Sequence, residues 1–141
     1  MEEMTLQKKS PSTTEKNIRA YLETHDAKYV TEDAVFKNLS TGEEYKGREE
    51  IGAMLHFMYH VAFDAKLEVT NFIFTEDKAM FEGFFKGRHI GEIAGVQPTD
   101  KEVDVPICVS YDLKDGLIHR GRIYLLLSVM MQQIGVGAPA S

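Results

Sequence analysis

The apolar positions of this chain follow a helical period in its first half and a strand period in its second half. After Ser12-Thr13-Thr14-Glu15, which has the pattern of a capping box, Ile18, Tyr21, Leu22 and His25 lie at helical spacing. We therefore predict a first helix of about three turns. A second helix is predicted from Gly47 to about Val61, and its apolar side consists of Ile51, Met54, Leu55, Met58 and Ala62.

Alternation of apolar and polar residues predicts strands, most of them after residue 63. Two short strands, 34–38 and 44–45, precede the second helix. Longer strands are predicted after it, with a tight hairpin turn at Lys114-Asp115-Gly116, and they span 65–70, 79–93, 103–113 and 117–129. Helices followed by antiparallel strands predict an α+β fold, in which the helices pack on one face of a curved, mainly antiparallel sheet.

The last predicted strand is apolar on both faces near its end. Ile123, Leu125 and Leu127 lie on one face, and Arg122, Tyr124 and Leu126 lie on the other. One face can pack against the helices, and the second needs another cover, most simply a second subunit. We therefore expect a homodimer through the sheet.

Length and composition limit the classes of function. The chain of 141 residues predicts one domain at 14–135, between a disordered tail at 1–13 and a flexible tail at 136–141. A net charge of -6 disfavours nucleic acid, since phosphate contacts need clustered Lys and Arg. No apolar run has the length of a membrane span, the N-terminus lacks a signal-peptide core, and Cys108 is the single cysteine. We expect a cytoplasmic protein without membrane or nucleic-acid partners.

The segment from Gly87 to Thr99 places one histidine, His89, among three glycines, and a Pro-Thr loop follows. Glycine weakens a strand, so strand glycines mark a bulge, a bend or a close approach to the backbone. The segment therefore predicts a curved sheet around a cavity, with His89 near that cavity.

Several motifs make the chain similar to one known family. They are the Gly-x-His-x-Gly-Glu-x-x-Gly-x-x-Pro-Thr stretch at 87–99, Lys114-Asp115-Gly116-Leu117-Ile118 and Gln133-Ile134-Gly135, with support from Asp33-Ala34-Val35-Phe36 and Gly47-Arg48-Glu49-Glu50-Ile51. On these motifs, residues 17–135 resemble a SnoaL-like polyketide cyclase of the nuclear-transport-factor-2-like superfamily. The resemblance implies a cone-shaped α+β barrel, with a bent sheet around helices and a central apolar cavity for a small apolar or aromatic ligand. The fold hosts both enzymes and binding proteins, so the resemblance alone does not fix the reaction.

The chain departs from its relatives at the positions of their catalytic carboxylates. Counting back from Gln133-Ile134-Gly135 places the acid of the polyketide cyclases at Leu126, which cannot titrate. The base of the related ketosteroid isomerases aligns with Asn38, which is no base either. The helix tyrosine that donates to the enolate in those isomerases has a counterpart in Tyr21. We therefore count Tyr21, Asn38, Tyr124 and Leu126 as ligand-binding candidates.

Three residues are candidates for the chemistry. His89 could take a proton from a carbon acid near neutral pH, or it could be a structural histidine bonded to a loop. Tyr111 could donate to a developing enolate oxygen, or it could be an aromatic core residue. Arg122 would need an anionic ligand or an acidic partner such as Glu82 or Glu92 if its strand face looks into the cavity, and otherwise it is exposed at the sheet edge.

His56 and His60 lie four residues apart on the second predicted helix, a spacing that can hold a metal. Their side lies opposite the apolar positions and no third ligand stands out, so we expect no metal site and no cofactor.

The leading hypothesis is a cofactor-free cyclase or isomerase that transfers a proton next to a carbonyl of a polyketide-like or polycyclic compound. His89 would carry the proton, Tyr111, Arg122 or Tyr124 would hold the enolate oxygen, and the cavity would exclude water. The alternative is a non-catalytic small-molecule-binding protein of the same fold. A third possibility is an assembly module, which a filled cavity without converging polar groups would favour.

Overall fold

The structure is a computed structural model that describes residues 12–136. In chain order it contains α1 (Thr13–Thr24), a 3₁₀ turn (Ala27–Tyr29), β1 (Val30–Asn38), β2 (Glu44–Lys46), α2 (Gly47–His56), a π-turn (Phe57–Val61), β3 (Phe63–Phe74), β4 (Lys78–His89), β5 (Glu102–Lys114), β6 (Leu117–Leu125) and α3 (Leu127–Gln133). The predicted tails lie mostly outside the described residues.

The six strands form one sheet in the order β2-β1-β6-β5-β4-β3. Neighbours are antiparallel except for β1 and β6, which run parallel. The predicted α+β architecture with a curved, mainly antiparallel sheet is therefore confirmed. The sheet does not close into a barrel, because β2 and β3 remain as its two edges.

The first helix begins where the capping box predicts. The Ser12 hydroxyl accepts a hydrogen bond from the Glu15 backbone N–H at 3.1 Å, which satisfies one free donor of the first turn. Ile18 and Tyr21 are the buried residues of α1. The helix ends at His25, which adopts a left-handed conformation with φ 55° and ψ 36°.

The second predicted helix, 47–61, is found as two consecutive parts. After α2 the chain continues as the π-turn, in which the Ala62 N–H donates to the Phe57 carbonyl at 2.7 Å. A π-turn holds one more residue than an α-helical turn, and such turns are frequent at functional sites. Tyr59 is the buried residue of this turn.

The predicted ends of four strands were wrong, and one of them, placed at 65–70, extends from Phe63 to Phe74. The strand placed at 79–93 ends at His89, the strand placed at 34–38 already begins at Val30, and the strand placed at 117–129 ends at Leu125. Residues 127–133 form α3, which the alternation of apolar residues did not predict.

The helices cover the concave face of the sheet and enclose the apolar core between them. Ile18 of α1, Ile51 of α2, Phe36 of β1 and Ile118 of β6 are buried there. Among residues 12–136 no helix is long and apolar enough to cross a membrane.

Candidate functional site

A cavity of about 700 Å³ lies between the helices and the concave face of the sheet. Its wall is mostly apolar, with contributions from α1, β1, α2, the π-turn, β4, β5 and β6. The central part of the wall includes Phe36, Met54, Leu55, Phe81, Phe85, Val109, Ile123 and Leu125. The volume lies in the range of small-molecule sites, about 300–1,000 Å³. The cavity is thus not filled by side chains. A filled cavity was the feature that would have favoured an assembly module, so the structure does not favour that possibility.

Three buried tyrosines, Tyr21, Tyr59 and Tyr111, supply polar groups to the wall. The ring centroids of Tyr21 and Tyr111 lie 6.0 Å apart, in an edge-to-face arrangement. Both residues line the cavity, and within residues 12–136 neither phenol oxygen has a hydrogen-bond partner. Burial raises the pKa of both phenols well above the usual value, and neighbouring phenols raise it further. Both are therefore neutral hydrogen-bond donors at pH 7.

The mouth of the cavity carries two carboxylates, Glu43 and Glu50. Its exposed lining residues are Thr41, Glu43, Glu50, Ala53, Phe57 and Ala94. The Tyr45 hydroxyl donates to Glu43 at 3.0 Å, and burial followed by this bond raises the pKa of Tyr45 to about 12. The Lys46 backbone N–H donates to Glu50 at 2.8 Å, so this carboxylate caps the start of α2. Neither lysine nor arginine lines the described cavity.

Asn38 lies at the end of β1 and lines the cavity, as its position in the resemblance implied. Its side-chain oxygen accepts a hydrogen bond from the Ser40 N–H at 2.8 Å, which stabilises the turn towards β2. The structure thus brings Tyr21, Asn38 and Tyr111 to one cavity. These three are the sequence candidates that lie on its wall.

His89 lies outside the cavity wall. It is fully buried, its Nδ1 accepts a hydrogen bond from the Thr99 N–H at 3.1 Å, and the Thr99 hydroxyl oxygen lies 3.0 Å from the same atom. Phe63 packs against both His89 and Phe85, and Phe85 in turn lines the cavity. This environment matches the structural alternative for His89, a histidine that holds the loop before β5.

Arg122, Tyr124 and Leu126 do not line the cavity either. Arg122 lies on the convex face of the sheet, where its guanidinium donates to both carboxylate oxygens of Asp112, at 2.9 and 3.1 Å. Tyr124 is 45% exposed on the same face. The acidic partner of Arg122 is therefore Asp112, and the face that carries Arg122 and Tyr124 points away from the cavity.

Leu126 follows the last residue of β6 and is 46% exposed. Its neighbours Leu125 and Leu127 line the cavity in its place. All three residues are leucines, so this part of the wall carries no carboxylate, whichever of the three takes the family position.

The Arg122 and Lys78 side chains both bind Asp112, the latter at 2.7 Å. The hydrogen bond from Arg122 and then that from Lys78 hold the pKa of this carboxyl far below its usual range. These charges stabilise the convex face and take no part in the cavity.

Two further wall residues, His25 and Tyr59, were not among the candidates predicted from the sequence. Both line the cavity, and their rings stack with centroids 4.2 Å apart and an interplanar angle of 20°. The signal was present in the sequence, because His25 follows Ile18 and Tyr21 on one helical face and Tyr59 follows Leu55 by one turn.

The pair His56 and His60 has ring centroids 5.4 Å apart, and both residues are exposed. Within the described chain no three His, Cys, Asp or Glu side chains are grouped as metal ligands.

Comparison with known proteins relates this chain to a family. The family model of SnoaL-like polyketide cyclases matches residues 21–134, most of the chain. The chain belongs to this family. No curated protein shows significant sequence similarity to this SnoaL-like protein.

Solved structures of several bacterial proteins share the fold. A protein from Jannaschia sp. CCS1 assigned as a SnoaL-like polyketide cyclase has a TM-score of 0.79 and 18% identity, and the match covers 92% of this chain and 99% of the other. A hypothetical protein with a ketosteroid isomerase-like fold from Catenulispora acidiphila, in complex with trimethylamine, has a TM-score of 0.72 and 15% identity. The match covers 94% of this chain and 99% of the other. IdmH from Streptomyces antibioticus, assigned as a polyketide cyclase, has a TM-score of 0.70 and 22% identity, and the match covers 91% of this chain and 100% of the other. At these identities the likeness establishes the fold.

Proposed function

We propose that this SnoaL-like protein is a cofactor-free enzyme that enolises a polyketide-like or polycyclic carbonyl compound and so catalyses its cyclisation or isomerisation. The observation that carries the proposal is the pair of buried phenols, Tyr21 and Tyr111, that have no described hydrogen-bond partner at the wall of an apolar cavity. Preorganised neutral donors of this kind stabilise the negative charge that develops on a carbonyl oxygen.

The chemistry begins at a C–H bond beside the ligand carbonyl. A base takes the proton, the electron pair of the C–H bond forms a carbon–carbon double bond, and the π pair of the carbonyl moves to its oxygen. The resulting enolate oxygen accepts hydrogen bonds from the phenols of Tyr21 and Tyr111. The enolate carbon then attacks a second carbonyl, which closes a ring, or a proton returns at another atom, which gives an isomer. Because the wall is apolar, competing water is kept from the enolate.

The charges around the cavity support a neutral substrate. A ligand carboxylate would be buried without a cationic partner, and it would also meet Glu43 and Glu50 at the mouth. We therefore propose uncharged ring ketones as the substrate class.

The experiment uses 2-tetralone, a bicyclic ketone with acidic C–H groups beside its carbonyl, and follows deuterium uptake by NMR in mildly acidic D₂O. Wild-type protein is expected to accelerate uptake over buffer. Tyr111→Phe and Tyr21→Phe each remove one donor, so each rate should fall by about 100-fold or more. Tyr29→Phe is the matched control, since Tyr29 does not line the cavity and should retain the wild-type rate. Wild-type uptake no faster than buffer would refute the proposal.

A second candidate function is favoured by the uncharged wall at Asn38, Leu125 and Leu127. Without a carboxylate there, the protein could bind a ring ketone without converting it, as a carrier would. This function predicts saturable binding of 2-tetralone, weakened by Tyr111→Phe, with deuterium uptake at the buffer rate.

We also propose that two copies associate through the convex face of the sheet. Met80 and Tyr124 are exposed there, and the register from β4 through β5 to β6 places them beside Ser110 and Cys108. A second copy would cover this apolar surface.

We propose a cytoplasmic location as well. The single cysteine, which excludes a disulfide within the chain, supports it.

A further inference from the structure

The imidazole of His25 is a polar group of the cavity wall that the enolising step described above does not use. It closes the C-terminal end of α1, and its backbone N–H donates to the Tyr21 carbonyl. A left-handed conformation is uncommon for residues other than glycine, although it is tolerated by Asn, Asp and His. Residues in such conformations persist only where the surrounding structure holds them in place, and they are concentrated at functional sites.

Two tyrosines fix the orientation of the ring. Tyr59 of the π-turn stacks on it at 4.2 Å, and Tyr21 meets it edge-on with centroids 5.4 Å apart. Within residues 12–136 neither ring nitrogen has a hydrogen-bond partner, and the half-buried His25 is part of the cavity wall. An oriented imidazole with accessible nitrogens can therefore contact a ligand directly.

Burial, and next the positive charge of nearby His60, lowers the pKa of His25 to about 4. The other titratable groups packed around the ring are the phenols of Tyr21 and Tyr59, which are neutral at pH 7. At neutral pH the imidazole is thus uncharged and keeps a free lone pair that can accept a proton.

We infer that His25 is the general base that removes the proton beside the ligand carbonyl. The inference rests on the proposed function and deepens it. As the C–H bond breaks, the proton moves to an imidazole nitrogen and the π pair of the carbonyl moves to its oxygen, which is held by Tyr21 and Tyr111. The imidazolium then returns the proton to the ring-closed alkoxide or to another carbon, which restores the neutral base.

The strength of this base suits the task. A group with a pKa between 4 and 5 is a sufficient base for enolisation where an oxyanion hole stabilises the product; the Asp base of ketosteroid isomerase, at about 4.6, is the known example. Burial makes it costly to form the imidazolium, and the attraction between imidazolium and enolate, which is stronger at low dielectric constant, offsets part of this cost.

The carboxylates of the cavity are less suitable for this role. Glu43 and Glu50 lie at the exposed mouth, and each already accepts a hydrogen bond, from Tyr45 and from the Lys46 N–H. His89 lies behind the wall with its Nδ1 bound by Thr99. Among these groups, His25 is the one that lies in the cavity wall and has ring nitrogens without a described hydrogen-bond partner, which can accept a proton.

The test is the deuterium-uptake assay with 2-tetralone on His25→Asn, since Asn tolerates the left-handed conformation and lacks a proton-accepting nitrogen. Loss of a general base lowers the rate by about 10²–10⁴-fold, with little change in the dissociation constant of the ketone. His60→Asn is the matched control, an exposed histidine on the neighbouring turn, and it should keep the wild-type rate when both are assayed at pH 7, well above the pH at which His25 is protonated.

Chemical rescue separates a catalytic from a structural role. His25→Gly also suits the backbone conformation and leaves a space beside Tyr59, so added imidazole should raise its rate in a saturable way. Imidazole should not raise the rate of wild-type protein or of His60→Asn.

A second readout is the pH profile. The wild-type rate should fall as the pH approaches about 4, where His25 becomes protonated. His60→Asn should move this fall to higher pH, because the charge of His60 no longer opposes protonation of His25.

The outcomes distinguish the two proposals. If His25→Asn retains the wild-type rate while Tyr111→Phe loses it, His25 is not the base and the enolising function stands. If wild-type protein does not exceed buffer, the proposed function itself fails, and the base with it.

Discussion

Two histidines show how environment decides the role of one residue type. His89 is fully buried, its Nδ1 accepts a hydrogen bond from the Thr99 N–H, and its Nε2 has no partner in the described structure. His25 is open to the cavity instead. The sequence places both near apolar residues, but the direction of a ring depends on backbone conformation and packing. The helical spacing places His25 on the same face as Ile18 and Tyr21, but the left-handed end of α1, which sets the direction of its ring, has no local signal in the sequence.

The lowered pKa of His25 predicts a loss of stability in mild acid. The unfolded chain protonates this residue near 6.5 and the folded chain near 4, so the unfolded state binds more protons between these values. Stability should be constant with respect to this group above about 6.5 and fall towards pH 4, by up to about 3 kcal/mol. Urea unfolding from pH 7 to 4 measures it.

His25→Asn is the control for this acid sensitivity. The variant should show a flatter dependence of its unfolding free energy on pH over the same range. An unchanged slope would mean that other groups cause the acid sensitivity.

At the scale of elements, the end of β6 shows where sequence prediction stops. Ile123, Leu125 and Leu127 alternate as in a strand, but Leu127, Met130, Met131 and Ile134 also have helical spacing. The side chain of Gln133 decides between the two, because its amide bonds both the N–H and the C=O of Asp104 in β5, at 2.8 and 3.1 Å. The N–H and C=O of Asp104 are therefore paired with a side chain of α3, and not with the backbone of a longer β6.

Gln133→Ala should therefore destabilise the fold by about 1 kcal/mol, since two hydrogen bonds are lost and water can replace them only in part. Gln132→Ala is the matched control, because Gln132 is its exposed neighbour in α3 and its side chain makes none of the described hydrogen bonds. Thermal unfolding of both variants measures the difference. Equal melting temperatures would show that the amide of Gln133 contributes nothing to the junction of α3 and β5.

The first two helices and β5 were predicted well for the opposite reason. Their signals are local, as in the capping box at Ser12, the turn at Asp115-Gly116 with φ 54° and 80°, and long alternating runs. The sheet order, with β1 parallel to β6, depends on contacts distant in sequence. Of the candidate site, Tyr21, Asn38 and Tyr111 were found because the resemblance or strand position marked them.

At the scale of the whole molecule, the two faces of the sheet have different tasks. The concave face and the helices enclose the cavity, and the convex face carries the paired charges of Asp112, Arg122 and Lys78 beside exposed Met80 and Tyr124. The charges neutralise one another in part, so they do not oppose contact with a second copy.

Tyr124→Glu should convert the proposed dimer into a monomer, because it places a like charge from each copy in an apolar contact. Light scattering after size exclusion measures the mass. Val61→Glu is the control, an equally exposed apolar residue of the π-turn at 44%. A wild-type monomer, or equal masses for both variants, would contradict association through the convex face.

The π-turn also bears on how substrate choice could change in this family. An α-helix rotates by about 100° per residue, so a chain one residue shorter between Phe57 and Val61 would turn the side chains on one side of the deletion by that angle. Tyr59 would no longer stack on His25, and different side chains of α2 would face the same cavity. The strand after Ala62 could keep its pairing with β4. A single-codon deletion or insertion at this turn would thus exchange much of the wall at once while the sheet stays intact.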